Sequence, residues 1–274
     1  MVKSRLRRAQ QILYRYSEWR AVFEFQSFYL LKPWLRRLPK GDGHPVLFFP
    51  GFGASDRSTI PMRKLFEELG YQTKGWGLGR NLTFDKEIEA EMVALLDEIH
   101  AHHGRKVSIV GWSLGGLFAR EIAKVRPDLV RQVISLGSPI SGRYRHSDAR
   151  HLFRAINGAP TPDEQLRRQS LNAPPPVPTT SIYSKTDGIV SWEGSVQRHY
   201  ENLEHAELSE NIEVPASHLG LGFNALVMCV LADRLGQPED DWKPFEATQL
   251  AKFVYRKPAE AVVKRKSVTP EFAL

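Results

Sequence analysis

The stretch Gly111-Trp112-Ser113-Leu114-Gly115 sets a serine between two glycines, each two residues away. A serine hydroxyl becomes a useful nucleophile toward a carbonyl carbon only when a neighbouring base takes its proton. Gly-x-Ser-x-Gly alone is a weak signal, because both residue types are common. Its setting here is specific: the pattern follows the apolar run Val107–Val110 directly and opens a helical spacing over Leu114–Val125. That is the strand-turn-helix context of a nucleophile elbow. In so tight a turn a Cβ two residues before or after the serine would strike backbone, and Gly111 and Gly115 remove those atoms. Ser113 is thereby held out from the sheet edge, with the Leu114 N–H aimed at the place where an oxyanion would form.

The chain offers nine histidines as the base. His218, in Val-Pro-Ala-Ser-His-Leu-Gly, falls in a loop between the last expected strand and the last core helix, where sheet ends deliver functional groups. His199 and His205 are the alternatives. An imidazole in this role needs a carboxylate to fix its tautomer and stabilise its charged form. Asp187 follows an expected strand in Ser-Lys-Thr-Asp-Gly-Ile-Val, and Glu193 and Asp163 are its substitutes. Asp187-Gly188 in isolation reads as a turn. The chain order Ser, Asp, His favours the catalytic reading. A second oxyanion donor is expected after an early strand, and Gly51-Phe52-Gly53 lets the backbone approach a substrate with the Phe52 N–H as donor.

The elements that must position these groups alternate along the chain. Val46–Phe49 is a short apolar run, Met62–Leu69 is helical, and Tyr71–Trp76 is a second strand. Phe84–His102 has helical spacing, followed by strand Val107–Val110, helix Leu114–Val125 and strand Gln132–Leu136. Strands at Thr180–Tyr183 and near Asn211–Val214 precede a helix over Phe223–Leu235. This alternation predicts an α/β fold, a mostly parallel sheet with helices on both faces. Three units are expected: a basic N-terminal helix over 1–40, the main domain over 41–236 and a C-terminal extension over 237–274. Residues 140–178 interrupt the main domain, with short helices expected at Asp148–Ile156 and Asp163–Ser170. An insertion of this length is usually functional or disordered.

With 42% apolar and 25% charged residues in 274, the chain has the composition of a protein with one large core. The single cysteine, Cys229, forms no intrachain disulfide, and its apolar neighbours put it on a buried helix face. The net charge of +7 is unevenly placed: residues 1–40 hold ten Lys or Arg and two Glu, a net +8, and the remaining 234 sum to −1. Basicity confined to one segment argues against a nucleic-acid surface on the body. Arg15, Glu18, Arg20, Glu24 and Gln26 interrupt every apolar run there, against both a signal peptide and a transmembrane helix. The spacing predicts a helix over Ser4–Lys32 with Ala9, Ile12, Tyr16, Trp19 and Phe23 on one stripe, ended by Pro33. Two readings compete for the stripe. It packs on the protein's own body or a second copy, or it lies on an anionic membrane surface with Trp19, Phe23, Phe25, Phe28 and Trp34 at the interface. A second basic cluster falls in residues 252–266.

The elbow at Gly111–Gly115, the strand end Val133–Pro139, the acid loop Tyr183–Gly188 and the Ser217-His218 loop resemble those of α/β-hydrolases of the serine lipase and esterase branch. They resemble bacterial lipases, and are similar to deacylases of glycosylphosphatidylinositol lipids, over residues 44–236. The resemblance implies Ser113 as nucleophile, His218 as base, Asp187 as orienting acid, and the N–H groups of Phe52 and Leu114 as the oxyanion hole. It implies hydrolysis of lipid or lipid-like esters through an acyl-enzyme, with no metal or organic cofactor, and a cap at 140–178. An acyltransferase on the same residues and a non-catalytic membrane-associated protein are the alternatives. Pro50 stands where many lipases place histidine before the oxyanion glycine. The lack of a visible signal peptide is unlike secreted lipases and leads to the expectation of a cytoplasmic enzyme, peripheral on the inner membrane face where residues 1–40 bind lipid.

Overall fold

Strands whose residues are apolar on both faces belong in the middle of a parallel sheet, where helices cover each side. The computed structural model describes residues 12–83, 85–140, 171–198, 204–247 and 255. It forms six strands: β1 Pro45–Phe49, β2 Gln72–Gly75, β3 Val107–Trp112, β4 Val130–Leu136, β5 Thr179–Tyr183 and β6 Ser209–Glu213. They make one sheet in the order β2-β1-β3-β4-β5-β6, every pair parallel. β1, β3, β4 and β5 are buried along their whole length, whereas the edge strands β2 and β6 are partly open.

Among the described residues, five helices of nine residues or more cover the sheet: α1 Ala21–Leu35, α2 Ile60–Glu68, α3 Lys86–His103, α4 Leu114–Val125 and α5 Ala225–Leu235. α1, α2 and α5 share one core layer, with Phe28, Leu35, Phe66, Val227 and Leu231 at its centre. α3 and α4 form the other, with Met92, Leu96, Phe118 and Ile122. Burying each of these side chains contributes roughly 1.5–3 kcal/mol. The helix ends follow local chemistry. Asp85 caps α3 by accepting the Ile88 N–H at 2.9 Å, and Gly104 ends it in the left-handed region at φ 64. The Asn224 side chain caps α5 by accepting the Leu226 N–H at 2.9 Å.

The N-terminal segment differs from its expected form. Residues 12–16 are helical, a 3-10 turn follows over Ser17–Arg20, and α1 then runs through Pro33 to Leu35. Pro33 does not end the helix: it lies in the last turn, where losing one N–H interrupts little. The stripe of Ile12, Tyr16, Trp19 and Phe23 faces outward, so it is not packed on the body. Phe28 faces the core instead. Among the described residues no helix is long and apolar enough to cross a membrane. The expected cap helices, His199, Asp163 and the 252–266 cluster apart from Tyr255 lie outside the described residues.

Candidate active site

β3 runs straight into α4, and the single residue between them turns the chain. Ser113 has φ 54 and ψ −119, a conformation that side-chain-bearing residues rarely adopt. The bend is packed as tightly as the glycine spacing requires. A Cβ on Gly111 would overlap the Gly115 carbonyl and the Gly116 Cα, and one on Gly115 would lie 2.6 Å from the carbonyl oxygens of Phe49 and Pro50. The Ser113 N–H donates to the Leu136 carbonyl at 2.8 Å, tying the bend to the end of β4. Strain held by such contacts is typical of functional positions.

The C-terminal ends of β5 and β6 bring two more side chains to Ser113. His218 Nε2 lies 3.0 Å from Ser113 Oγ, and His218 Nδ1 lies 2.6 Å from Asp187 Oδ2. All three residues are buried. Asp187 is fixed through its other oxygen, which accepts the N–H groups of Ile189 at 2.8 Å and Val190 at 2.7 Å. The Trp112 indole N–H donates to the His218 carbonyl at 3.1 Å. Burial opposes protonation of His218, but the charge and hydrogen bond of Asp187, helped by Glu18, raise its pKa above the ordinary imidazole value. A serine hydroxyl hydrogen-bonded to an imidazole that a carboxylate orients can act as a nucleophile toward an acyl carbon. Gly137, at φ 58 after β4, leaves room for this pair: a Cβ there would stand 3.1 Å from Asp187 Oδ2 and 3.2 Å from His218 Nδ1.

The glycine loop after β1 reaches the same place. A Cβ on Gly51 would sit 3.4 Å from the Cβ of Ser113, so the chain entering Phe52 passes beside the hydroxyl. Leu114 opens α4, so its N–H belongs to the first turn, which lacks intrahelical acceptors. The loop is held by Asn81, a residue with no motif to mark it. The Asn81 side chain donates to the Pro50 carbonyl at 2.7 Å, its carbonyl accepts the Gly53 N–H at 2.7 Å, and its N–H donates to Ala54 at 2.8 Å. Among the described residues no group of three or more His, Cys, Asp or Glu is placed to hold a metal ion.

The N-terminal segment supplies contacts that the sequence did not announce. The Glu18 carboxylate accepts three backbone N–H groups: Gly188 at 2.8 Å, His218 at 2.9 Å and Leu219 at 3.0 Å. Arg20 donates to the Thr186 carbonyl at 2.7 Å, the Thr186 hydroxyl at 2.8 Å and the Ala216 carbonyl at 3.1 Å. Glu24 accepts the Ser217 N–H at 3.1 Å, the Ser217 hydroxyl and the Asn224 amide at 2.9 Å. The chain at Tyr14 lies so close that a Cβ on Gly188 would stand 2.5 Å from its carbonyl oxygen. In the sequence all three of Glu18, Arg20 and Glu24 read only as interruptions of an apolar run.

A second Ser–His–Asp array lies at the opposite ends of the strands. His44 Nε2 is 2.8 Å from Ser108 Oγ and His44 Nδ1 is 2.5 Å from Asp42 Oδ1. Ser108 sits within regular strand β3, and both Ser108 and His44 are fully buried, which denies any substrate access. Burial drives His44 down to about 4, so the ring is a neutral link in the core. The backbone bend, not the residue trio, separates the two arrays.

Comparison with known proteins fits this architecture. The sequence matches the alpha/beta hydrolase family over residues 16–264. No curated protein sequence matches it. Among solved structures, lipase B of Aspergillus fumigatus is similar at 20% identity and TM-score 0.54, over 73% of this chain and 55% of that one, so this chain spans little more than half its length. The mature lipase BlEst2 of Bacillus licheniformis gives 18% identity and TM-score 0.53, over 73% and 95%. A structure from the study of LipS and LipT, two metagenome-derived lipolytic enzymes, gives 14% and 0.55, over 72% and 95%. Identities this low carry the fold and not the substrate. A parallel six-stranded sheet, a strained serine between β3 and α4 and the match across most of the sequence agree: the chain belongs to the alpha/beta hydrolase family.

Proposed function

We propose that this protein is a serine hydrolase that cleaves carboxylic esters of lipid-like substrates through an acyl-enzyme. The observation that carries the reading is the 3.0 Å contact between His218 Nε2 and the hydroxyl of a serine held at positive φ. In the first half-reaction Ser113 Oγ attacks the ester carbonyl while His218 takes its proton. The oxyanion that forms is held by the N–H groups of Leu114 and Phe52. As the carbonyl reforms, His218 returns the proton to the departing alcohol oxygen, leaving an ester on Ser113. Water then repeats the attack with His218 again as base, releasing the acid. Asp187 keeps Nδ1 protonated and Nε2 ready to accept. The insertion at 140–178 leaves the sheet beside Gly137 and is proposed to cap this site. The test is an ester panel from acetyl to palmitoyl on wild type and Ser113→Ala. The expected loss is about 10⁴-fold or more in kcat, with fluorophosphonate labelling of the wild type alone. Activity unchanged by the substitution overturns the assignment. Product analysis with and without an acceptor alcohol separates hydrolysis from acyl transfer.

A lipid surface is the proposed setting. Tyr16, Trp19 and Leu30 are 77%, 64% and 81% exposed, and Phe23, Tyr29 and Trp34 share the outward side. Contiguous aromatic exposure of this kind marks an interaction face. The segment bearing it is also the basic one, so a second copy would meet like charge, whereas anionic headgroups would meet opposite charge. Leu219, next to His218, is 48% exposed, and its N–H donates to Glu18 of the same segment, which supports a site near that segment. Flotation is expected with vesicles containing phosphatidylglycerol, not with phosphatidylcholine alone, and is expected to be lost in a Trp19→Ser, Phe23→Ser, Leu30→Ser variant. Equal flotation of variant and wild type would refute this placement.

A further inference from the structure

A carboxylate buried against backbone N–H groups is costly to maintain unless each oxygen finds donors. Glu18 finds three, and they come from the two loops that hold the reacting groups: Gly188 beside Asp187, then His218 itself and Leu219. Its Oε1 joins the two loops by accepting from both Gly188 and His218, and its Oε2 accepts from Leu219. Arg20 and Glu24 extend the contact on either side, at Thr186 and Ala216 and at Ser217 and Asn224. The Asp187–His218 distance of 2.6 Å thus depends on two loops about thirty residues apart that are joined by a segment from the far end of the chain.

We infer that Glu18 is a positioning residue of the hydrolytic site, fixing the acid and base loops in register and adding a second negative charge next to the imidazole of His218. This rests on the reading of Ser113, His218 and Asp187 as the reacting set. Of the charged groups around the His218 loop, Asp187 contacts the ring and Glu18 the His218 N–H, while Arg20 and Glu24 reach the preceding residues Ala216 and Ser217. Glu18, whose Oε1 lies 2.9 Å from the backbone N of His218, favours the protonated ring as Asp187 does. A misplacement of even about 1 Å at the imidazole can cost about 100-fold in rate.

Two variants and two readouts test the inference. In Glu18→Ala, kcat per fluorophosphonate-titrated site is expected to fall about 10- to 100-fold, with KM changed less than about twofold because no substrate contact is lost. Glu18→Gln keeps one acceptor oxygen and the side-chain shape but removes the charge. In that variant the acid limb of kcat/KM is expected to move to lower pH, and the His218 ring, followed by ¹⁵N NMR, is expected to titrate at lower pH than in wild type. The NMR titration needs no turnover, so it stands even if the ester reading fails. An unmoved His218 titration overturns the inference, with or without a loss of kcat, because a purely structural role would lower stability and leave the ring's proton affinity alone. Failure of the wild type to label or turn over would instead strike the functional reading.

Discussion

In the proposed mechanism Ser113 can pass a proton to His218 across 3.0 Å only when the ring is neutral, so activity is expected to rise as His218 loses its proton. Asp187 and Glu18 hold that proton above the ordinary imidazole value of 6.5 against the pull of burial. The acid limb of kcat/KM is therefore expected to lie above pH 6.5, as a pH–rate profile on a soluble short-chain ester would report. Asp187→Asn removes the larger contribution and the correct tautomer together, and is expected to lower kcat about 10⁴-fold with the fold intact by circular dichroism. These three residues were legible in the sequence because their chemistry demands a fixed chain order and loops at strand ends. Glu18, Arg20, Glu24 and Asn81 were not. They act through backbone groups of distant loops, and no spacing rule links residue 18 to residue 218.

Among the elements, β3 and α4 carry the greatest constraint, since the turn between them admits no Cβ at Gly111. Gly111→Ala is expected to destabilise the protein by about 3 kcal/mol or more, measured by urea unfolding, because the overlapped atoms are backbone and cannot swing away. α4 was legible to the residue, Leu114–Val125, since the elbow fixes its start. The edge strand β6 was read two residues late, at Asn211 instead of Ser209, as its partly open face breaks the apolar run. α1 misled most. A stripe of large apolar residues ordinarily faces the core, but here Phe28 and Leu35 pack inward with Glu18 and Glu24 while most aromatics point out. Sequence periodicity reports that a helix has two faces, and only tertiary contacts decide which one is buried.

At the scale of the whole molecule, the sheet carries the Ser113, His218 and Asp187 array at one end of β3 and a neutral, buried His44 link at the other. Unfolded, His44 takes up a proton near pH 6.5; folded, burial defers this to about pH 4. The unfolded state therefore binds more protons across that window, and stability, full above pH 6.5, falls as the pH is lowered through it, by about 3 kcal/mol in all. Chemical denaturation at pH 7 and pH 4.5 is expected to show most of this drop, and His44→Gln to flatten it. The charge map of the molecule is equally divided, with a near-neutral body and a strongly basic leading segment.

That leading segment fastens the acid and base loops on its inner side and shows aromatic rings on its outer side. One cut by a protease between Arg20 and Ala21 would leave the nucleophile, its base and its acid chemically whole, yet sever Glu18 from the loops it joins. Turnover is then expected to weaken at a distance, and a fragment trimmed for convenience at residue 41 to be a misleading witness to what the full chain can do.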